Sequence, residues 1–335
     1  MADVASESGF SRMTVSYCYN QPDRVAPETL RRVLEVAADL GYRGPDPTAR
    51  SLRRMHTNAL GVVLGEHSAY AFEDPQARRF LAGVSSVCLE RGVGLNLIPT
   101  TGTEDDLAHV RAASVDGYVV WTTVDADPVL TVLSGLKRAI AVHGGPAVAG
   151  GVVVGIDNRA AARELAALTF AGRKRPGVLS FPFDRDHGPR LENGPDPDGV
   201  AFPVTRERLL GVYDYCREAG INVERIPVGI VARNDRDDAA AMADALLDAR
   251  PDAVVAMSDQ LAFAVLDAAR RRGLRIPEDL AVAGWDDGPE AERENLTTIT
   301  QSLFDQGREC ALVALGGRGP GKSLPWQATV RGSTG

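Results

Sequence analysis

A chain of 335 residues is longer than one average domain, and its 44% hydrophobic and 24% charged content excludes a disordered polymer. No run approaches the ~18 apolar residues of a membrane span, and no charged-then-apolar leader opens the chain, so a cytoplasmic protein with no membrane partner is expected. The net charge of −8 argues against indiscriminate coating of nucleic acid, yet the charge is segregated. Residues 1–58 hold 8 Arg against 7 acidic residues, while the remainder holds 29 Lys+Arg against 38 acidic residues. An anionic partner would therefore meet the front of the chain.

Residues 1–45 predict short helices, tight turns and no strand. Ala2–Ser8 forms a first helix closed by Gly9, which suits a positive-φ turn. Ser11 is placed as N-cap of a second helix over 12–19, which Asn20-Gln21-Pro22-Asp23 breaks. Pro27 suits the first turn of a third helix over 27–40, whose Leu30, Val33, Leu34, Ala37 and Leu40 recur at helical spacing before Gly41. Gly44-Pro45-Asp46-Pro47 then signals a linker, followed by the short segment Ala49-Arg50-Ser51-Leu52-Arg53-Arg54.

From Ala59 the rhythm alternates between strand and helix. Strands are predicted over 60–64, 95–98, 117–121, 139–142, 152–156, 177–180, 253–257 and 280–285. Helices are predicted over 76–91, 160–170, 206–218, 238–249 and 261–272. Short apolar strands between amphipathic helices indicate parallel sheets in a doubly wound α/β body, and their number calls for two lobes. Ligands in such folds bind beyond the carboxyl ends of the strands. The stretch 182–203, rich in Gly, Pro, Asp and Asn, has no periodicity and reads as a long loop.

Catalytic and metal chemistry find little support. Cys18, Cys88, Cys216 and Cys310 lie far apart and read as buried thiols, without metal-ligand spacing. His56, His67, His109, His143 and His187 pair with no nucleophile in a familiar spacing, and neither GxSxG nor a phosphate loop occurs. Gly144-Gly145-Pro146 and Gly316-Gly317-Arg318-Gly319 read as turns. No enzyme, cofactor or metal site is expected.

The front carries Asp3-Val4-Ala5, then Ser8-Gly9-Phe10-Ser11-Arg12-Met13-Thr14-Val15-Ser16-Tyr17-Cys18-Tyr19-Asn20, Pro27-Glu28-Thr29, Leu40-Gly41-Tyr42 and Ala49-Arg50-Ser51-Leu52. Downstream come Asp116-Gly117, Val154-Gly155-Ile156-Asp157-Asn158, Arg208-Leu209-Leu210-Gly211, Ser258-Asp259-Gln260-Leu261-Ala262, Gly284-Trp285-Asp286-Asp287 and Leu296-Thr297-Thr298-Ile299-Thr300-Gln301. In this order, over nearly the whole chain, they resemble the LacI/GalR family of bacterial transcription regulators. The resemblance implies an all-helical helix-turn-helix head over 1–45, a hinge over 46–58, and a two-lobed, periplasmic-binding-protein-like doubly wound body over 59–335. The first lobe would take 59–156 and 288–316, the second 157–287 and 317–335. It implies a homodimer on a palindromic double-stranded DNA operator, with a small effector, a sugar or related polar metabolite, between the lobes. The last twenty residues hold no leucine heptad, so a dimer is expected in place of a tetramer. The apolar stripe of 76–91 is a candidate for dimer packing or for burial on its own sheet.

Small residues at the start of the second helix allow it to enter a major groove with its N-terminal side chains on base edges. Arg12, Met13 and Tyr17 would face outward together, with Val15 in the core, and the resemblance makes 12, 13 and 17 the base-reading positions. Arg12 suits a bidentate contact to guanine; Met13 can pack only on a thymine methyl; Tyr17 reads equally as a core residue. Ser11, Thr14, Ser16, Asn20 and Arg50 are candidate phosphate contacts, which position without specifying. By resemblance Leu52 is the wedge that enters the minor groove between half-sites, the alternative being a plain linker turn.

In the body, Arg208 and Asp286 occupy positions that contact ligand in the family: a planar fork for hydroxyls or a carboxylate, and a carboxylate for two hydroxyls. Ser258, Asp259 and Trp285 flank them at strand ends, with a capping role for Asp259 as the alternative. Tyr70 and Phe72 lie in a shifted segment, with Gln76 and Ala77 where the family often has aromatics. The loop after 227–231 carries Asn234 in place of a stacking aromatic, which puts a sugar effector in question. The resemblance implies coupling of either sign, induction or co-repression, and the rival reading is a solute-binding protein or α/β enzyme with a non-functional helical head.

Overall fold

A computed structural model describes residues 1–44, 57–65, 72–186, 188–316 and 322–335. Arg50, Leu52 and Tyr70, with most of the expected hinge, lie outside the described residues. The chain divides into two compact units, Met1–Asn58 and Ala59–Gly335.

Among the described residues of the first unit every regular element is helical. Helices α1 (Ala2–Ser8), α2 (Arg12–Asn20) and α3 (Pro27–Asp39) surround a small core of Val4, Ala5, Val15, Cys18, Val33, Val36 and Ala37. Gly9 ends α1 at φ 78°, a conformation that a Cβ would strain. Ser11 caps α2, its Oγ accepting from Thr14 N at 3.0 Å. The rings of Tyr19 and Tyr42 meet edge to face, centroids 5.8 Å apart, and tie the segment after α3 to α2. Leu34 and Leu40, expected on the apolar stripe of α3, are exposed, and Val36 takes the inward place.

The body opens with β1 (Ala59–Leu64), α4 (Pro75–Arg91), β2 (Gly94–Pro99), α5 (Asp106–Ala112), β3 (Gly117–Trp121), α6 (Pro128–Gly135), β4 (Ala139–His143) and β5 (Gly151–Gly155). These strands and β12 (Lys322–Ser323) form a parallel sheet in the order β12-β5-β4-β3-β1-β2. Side chains alternate across it as the pleat demands. Leu60, Val62, Leu64, Val119 and Trp121 join one core with α4 and α12 (Leu303–Ala314). Val63, Tyr118 and Val120 join the other, with Val110, Val129 and Leu133. α4 and α12 approach closely because each offers a glycine: a Cβ on Gly83 would lie 2.0 Å from Phe304 O, and one on Gly307 2.1 Å from Phe80 O. Phe80, Val84, Val87 and Cys88 are buried in this lobe's core, so the apolar stripe of 76–91 lies on its own sheet.

The second lobe contains α7 (Asn158–Phe170), β6 (Pro176–Ser180), β7 (Arg190–Asn193), α8 (Pro203–Glu218), β8 (Pro227–Ile230), α9 (Ala240–Asp248), β9 (Ala253–Ala256), α10 (Asp259–Arg271), β10 (Ala281–Ala283) and α11 (Pro289–Arg293). Its sheet runs β10-β9-β6-β8-β7, with β7 antiparallel to β8. The expected long loop therefore holds an edge strand. Arg190-Leu191-Glu192-Asn193 gives no apolar alternation because neither face of that edge is fully buried. A third pair, β11 (Thr298–Gln301) with β13 (Trp326–Thr329), continues from the end of β10 through bridges Ala283–Thr297 and Asp286–Thr300. Leu296 and Ile299 belong to the second lobe's core while β12 completes the first sheet. The chain thus crosses back after Gln301, later than the expected residue 288. Among the described residues no helix is long and apolar enough to cross a membrane.

Candidate functional site

In the head, α2 presents one solvent face and one core face. Arg12, Met13 and Tyr17 are exposed, with Met13 at 66% and Tyr17 at 40%, whereas Val15 and Cys18 are buried. Ser11 and Thr14 hydroxyls share a 2.9 Å hydrogen bond. Asn20 Nδ2 donates to Ser16 O at 2.9 Å and to Ser16 Oγ at 3.1 Å, so the amide hydrogens expected to reach a phosphate are directed back into the helix. Its Oδ1 is buried without a partner, a donor vacancy that sequence spacing did not anticipate.

In the body, the carboxyl ends of both sheets converge on a cavity between the lobes. Arg208, on the second turn of α8, and Asp286, just beyond β10, both line it, although 77 residues separate them. Arg208 is buried: Nε donates to Asn158 Oδ1 at 3.0 Å, and Nη1 donates to the Met257 carbonyl. Its guanidinium lies 3.8 Å from the Trp285 ring centroid and 5.5 Å from that of Phe181. Burial lowers its pKa to about 10, against the pull of Asp286. Burial, reinforced by the neighbouring Asp259, lifts the Asp286 carboxyl well above the usual range, and Arg208 and a 2.9 Å bond from Gln301 Nε2 oppose that rise. The Asp286 backbone sits at φ 112°, where an L-residue is strained; its N–H donates to Ile299 O at 2.8 Å, so pairing with β11 holds the strain in place.

From Asp286 a row of hydrogen bonds crosses to the first lobe. Gln306 Nε2 donates to Gln301 Oε1 at 3.1 Å, and Gln306 Oε1 faces His143 Nε2 at 2.8 Å. That pairing puts the imidazole proton on Nε2. Burial depresses the His143 pKa to about 4, so the ring is neutral at pH 7. His143 stacks on Trp121, centroids 4.5 Å apart at 19°, and Phe80 packs against both rings. Trp121, His143, Phe181 and Phe202 all line the cavity. Aromatic surface is therefore present, supplied by the ends of β3 and β4, by Phe181 just after β6 and by Phe202 at the N-cap of α8, and not by the loops after β1 and β8.

The other expected residues divide. Asn234 lines the cavity, its Nδ2 donating to Asp74 Oδ2 of the first lobe at 2.7 Å. Ser258 lies behind it, capping α10 through Leu261 N and donating to Asn234 Oδ1 at 2.5 Å. Asp259 does not line the cavity: its carboxylate accepts from Gly288 N at 2.8 Å and Thr298 Oγ1 at 2.7 Å, and burial raises its pKa to about 7. Trp285 is the buried slab beneath Arg208. Phe72 is 56% exposed and absent from the lining. Sequence reasoning missed Trp121, His143, Phe181 and Gln301, yet each ends or directly follows a strand, the same signal that singled out Asp286. Applied evenly along the chain, that rule would have found them.

A helical unit with an exposed helix face and, in the same chain, a two-lobed unit with an interlobe cavity define the class of ligand-responsive DNA-binding regulators. The description "Bacterial regulatory proteins, lacI family" matches residues 1–44, and "Periplasmic binding protein-like domain" matches 197–334. An HTH-type transcriptional regulator of Mycobacterium tuberculosis is 36% identical, over 97% of this chain and 92% of its own. A LacI family regulator structure from Corynebacterium glutamicum is 28% identical with a TM-score of 0.75, covering 100% of this chain and 98% of that one. A structure of the regulator CelR in complex with cellobiose is 25% identical with a TM-score of 0.68, covering 99% and 98%. This chain belongs to the lacI family of bacterial regulatory proteins and is a DNA-binding transcriptional regulator.

Proposed function

We propose that the protein is a homodimeric repressor of a palindromic operator, released or recruited by a neutral polyhydroxylated effector held between its lobes. The observation that carries the effector class is the convergence of buried Arg208 and buried Asp286 on one cavity beside the Trp121, His143 and Phe181 rings. Each group favours the other's charged form, so their fields offset in the cavity and no strongly charged ligand is asked for. A carboxylate and a guanidinium satisfy hydroxyls, and flat rings meet the C–H face of a saturated ring. The cellobiose bound by CelR is of that chemistry. In the head, Arg12 and Met13 are the base readers, Tyr17 a neighbour on the same exposed face, and Ser11, Thr14 and Ser16 phosphate contacts. Leu52 and Arg50 supply the minor-groove wedge and a backbone anchor. Two heads are needed because a palindrome presents two half-sites.

The mechanism is a coupling free energy. An effector that prefers one lobe arrangement shifts the population of that arrangement and with it the operator affinity. Selection of binding sites from randomised DNA, followed by titration of the selected duplex with a panel of mono- and disaccharides and polyols, tests the reading. Binding with a steep salt slope and a response to at least one polyol are expected. Selection of no sequence refutes the operator, and indifference to the whole panel, with amino acids or purines active instead, refutes the effector class.

A further inference from the structure

Arg185, between β6 and β7, belongs to the second lobe but reaches across the cleft into the first. Its Nη2 donates to the Asp127 carboxylate and, at 3.3 Å, to Thr123 Oγ1. The receiving site is fixed in advance. Asp127 is the N-cap of α6, its Oδ1 accepting from Val129 N at 2.8 Å and its Oδ2 from Thr123 Oγ1 at 2.5 Å. Gly102 forms the opposite wall at φ 81°, where a Cβ would fall 1.6 Å from Arg185 Nη1. The space of a side chain at 102 is the space the guanidinium occupies. Arg185 Nε is buried there without a hydrogen-bond partner.

We propose that Arg185 is an interlobe latch, plugging a socket of Gly102, Thr123 and Asp127 to hold the cleft closed reversibly. The socket side is stable whether or not the latch is engaged, because an opened cleft leaves Asp127 its bonds to Thr123 and Val129. The plug side gains by leaving, because water can then reach the unpartnered Nε. A contact with one permanent half and one imperfectly satisfied half is suited to break. The latch is also wired to the cavity: Trp121, Thr122 and Thr123 line it, and the same short segment runs on to Asp127. An occupant touching that segment bears directly on the socket. A parallel bridge, Arg206 to Asp125 at 2.5 Å, lies on the same segment, so the flank is held at two points. The link to effector control rests on the function proposed above; the latch itself does not.

The test uses the full-length protein without ligand, spin-labelled at exposed positions of the two lobes through Glu104→Cys and Asp198→Cys. The four native cysteines are buried, so the label is directed to the introduced pair. Interlobe distances are read by pulsed electron resonance. Arg185→Ala and Asp127→Asn should each add a longer-distance population and raise the open-to-closed ratio about fivefold or more. Asn at 127 keeps the cap oxygen for Val129 N, and Arg185→Gln serves if the alanine variant folds poorly. The double variant should open no further than either single, because both remove one contact. Distance distributions identical to the parent in these variants overturn the latch, and additive opening in the double overturns the claim that Arg185 and Asp127 act as a unit. Shifted distances with an operator complex deaf to every polyol would keep the latch and refute the effector reading. Unshifted distances with a polyol response would do the reverse.

Discussion

Asp259→Asn is expected to stabilise the body at neutral pH, although the residue is buried and doubly hydrogen-bonded. Burial raises its carboxyl pKa from 3.8 to about 7, which means the folded state holds the charged form reluctantly. The sign follows from linkage: with the folded value above the unfolded one, the group's contribution is fully present below about pH 4 and is lost as pH rises through 7. The full shift is worth on the order of 4 kcal/mol. Neighbouring Asp286 shares that penalty, so about 2 kcal/mol is the working figure. Asparagine abolishes the charge and keeps the geometry. Its Oδ1 can accept from Gly288 N, and the Thr298 hydroxyl can rotate to accept from Nδ2 where it now donates to Asp259 Oδ1. For a body of this size the gain corresponds to a rise in Tm of about 3–4 °C at pH 8. Scanning calorimetry between pH 4.5 and 8 should show the two proteins converging at the acid end and diverging as pH rises. An asparagine variant less stable at pH 8, or a stability curve parallel to the parent's, would refute the reasoning.

Three further outcomes are expected. Arg12→Ala should relax preference at one base pair per half-site in a randomised operator library, by about 1–3 kcal/mol of discrimination, whereas Arg50→Ala should weaken all sequences evenly and lower the salt slope by about one; uniform loss in both would remove Arg12 from base reading. Leu52→Ala should leave the thermal transition near the parent's while reducing operator affinity and bend angle in a gel-shift permutation assay, and an unchanged bend would dismiss the wedge. Asp286→Ala and Arg208→Met should each abolish calorimetric binding of whichever polyol proves active, with the double variant no worse than either single because they share one ligand; parental affinity in both singles would place the ligand elsewhere.

The local elements were legible because their signals are local. Gly9, the Ser11 cap and Pro27 punctuate the head at the chain positions where its helices break, and the apolar runs of β1, β3, β4, β6 and β9 are buried on both faces, leaving no ambiguity of period. The motifs downstream sufficed for the family. β7 and β12 stayed hidden because an edge strand has little apolar content to display, and α5 and α6 because short helices between buried strands show little periodicity. What no reading of the line could decide is which polar residues face the cavity and which merely support it. Asp259 and Asp286 are both acids at strand ends of one lobe, yet Gly288 and Thr298 saturate the first while strained backbone turns the second toward Arg208. Likewise Arg185 is one arginine among many until Gly102 and Asp127, distant in sequence and carried by the other lobe, close around it. Burial and partnership are properties of the packed chain: a side chain's desolvation depends on everything that surrounds it, and its neighbours in sequence are only a small part of that surrounding.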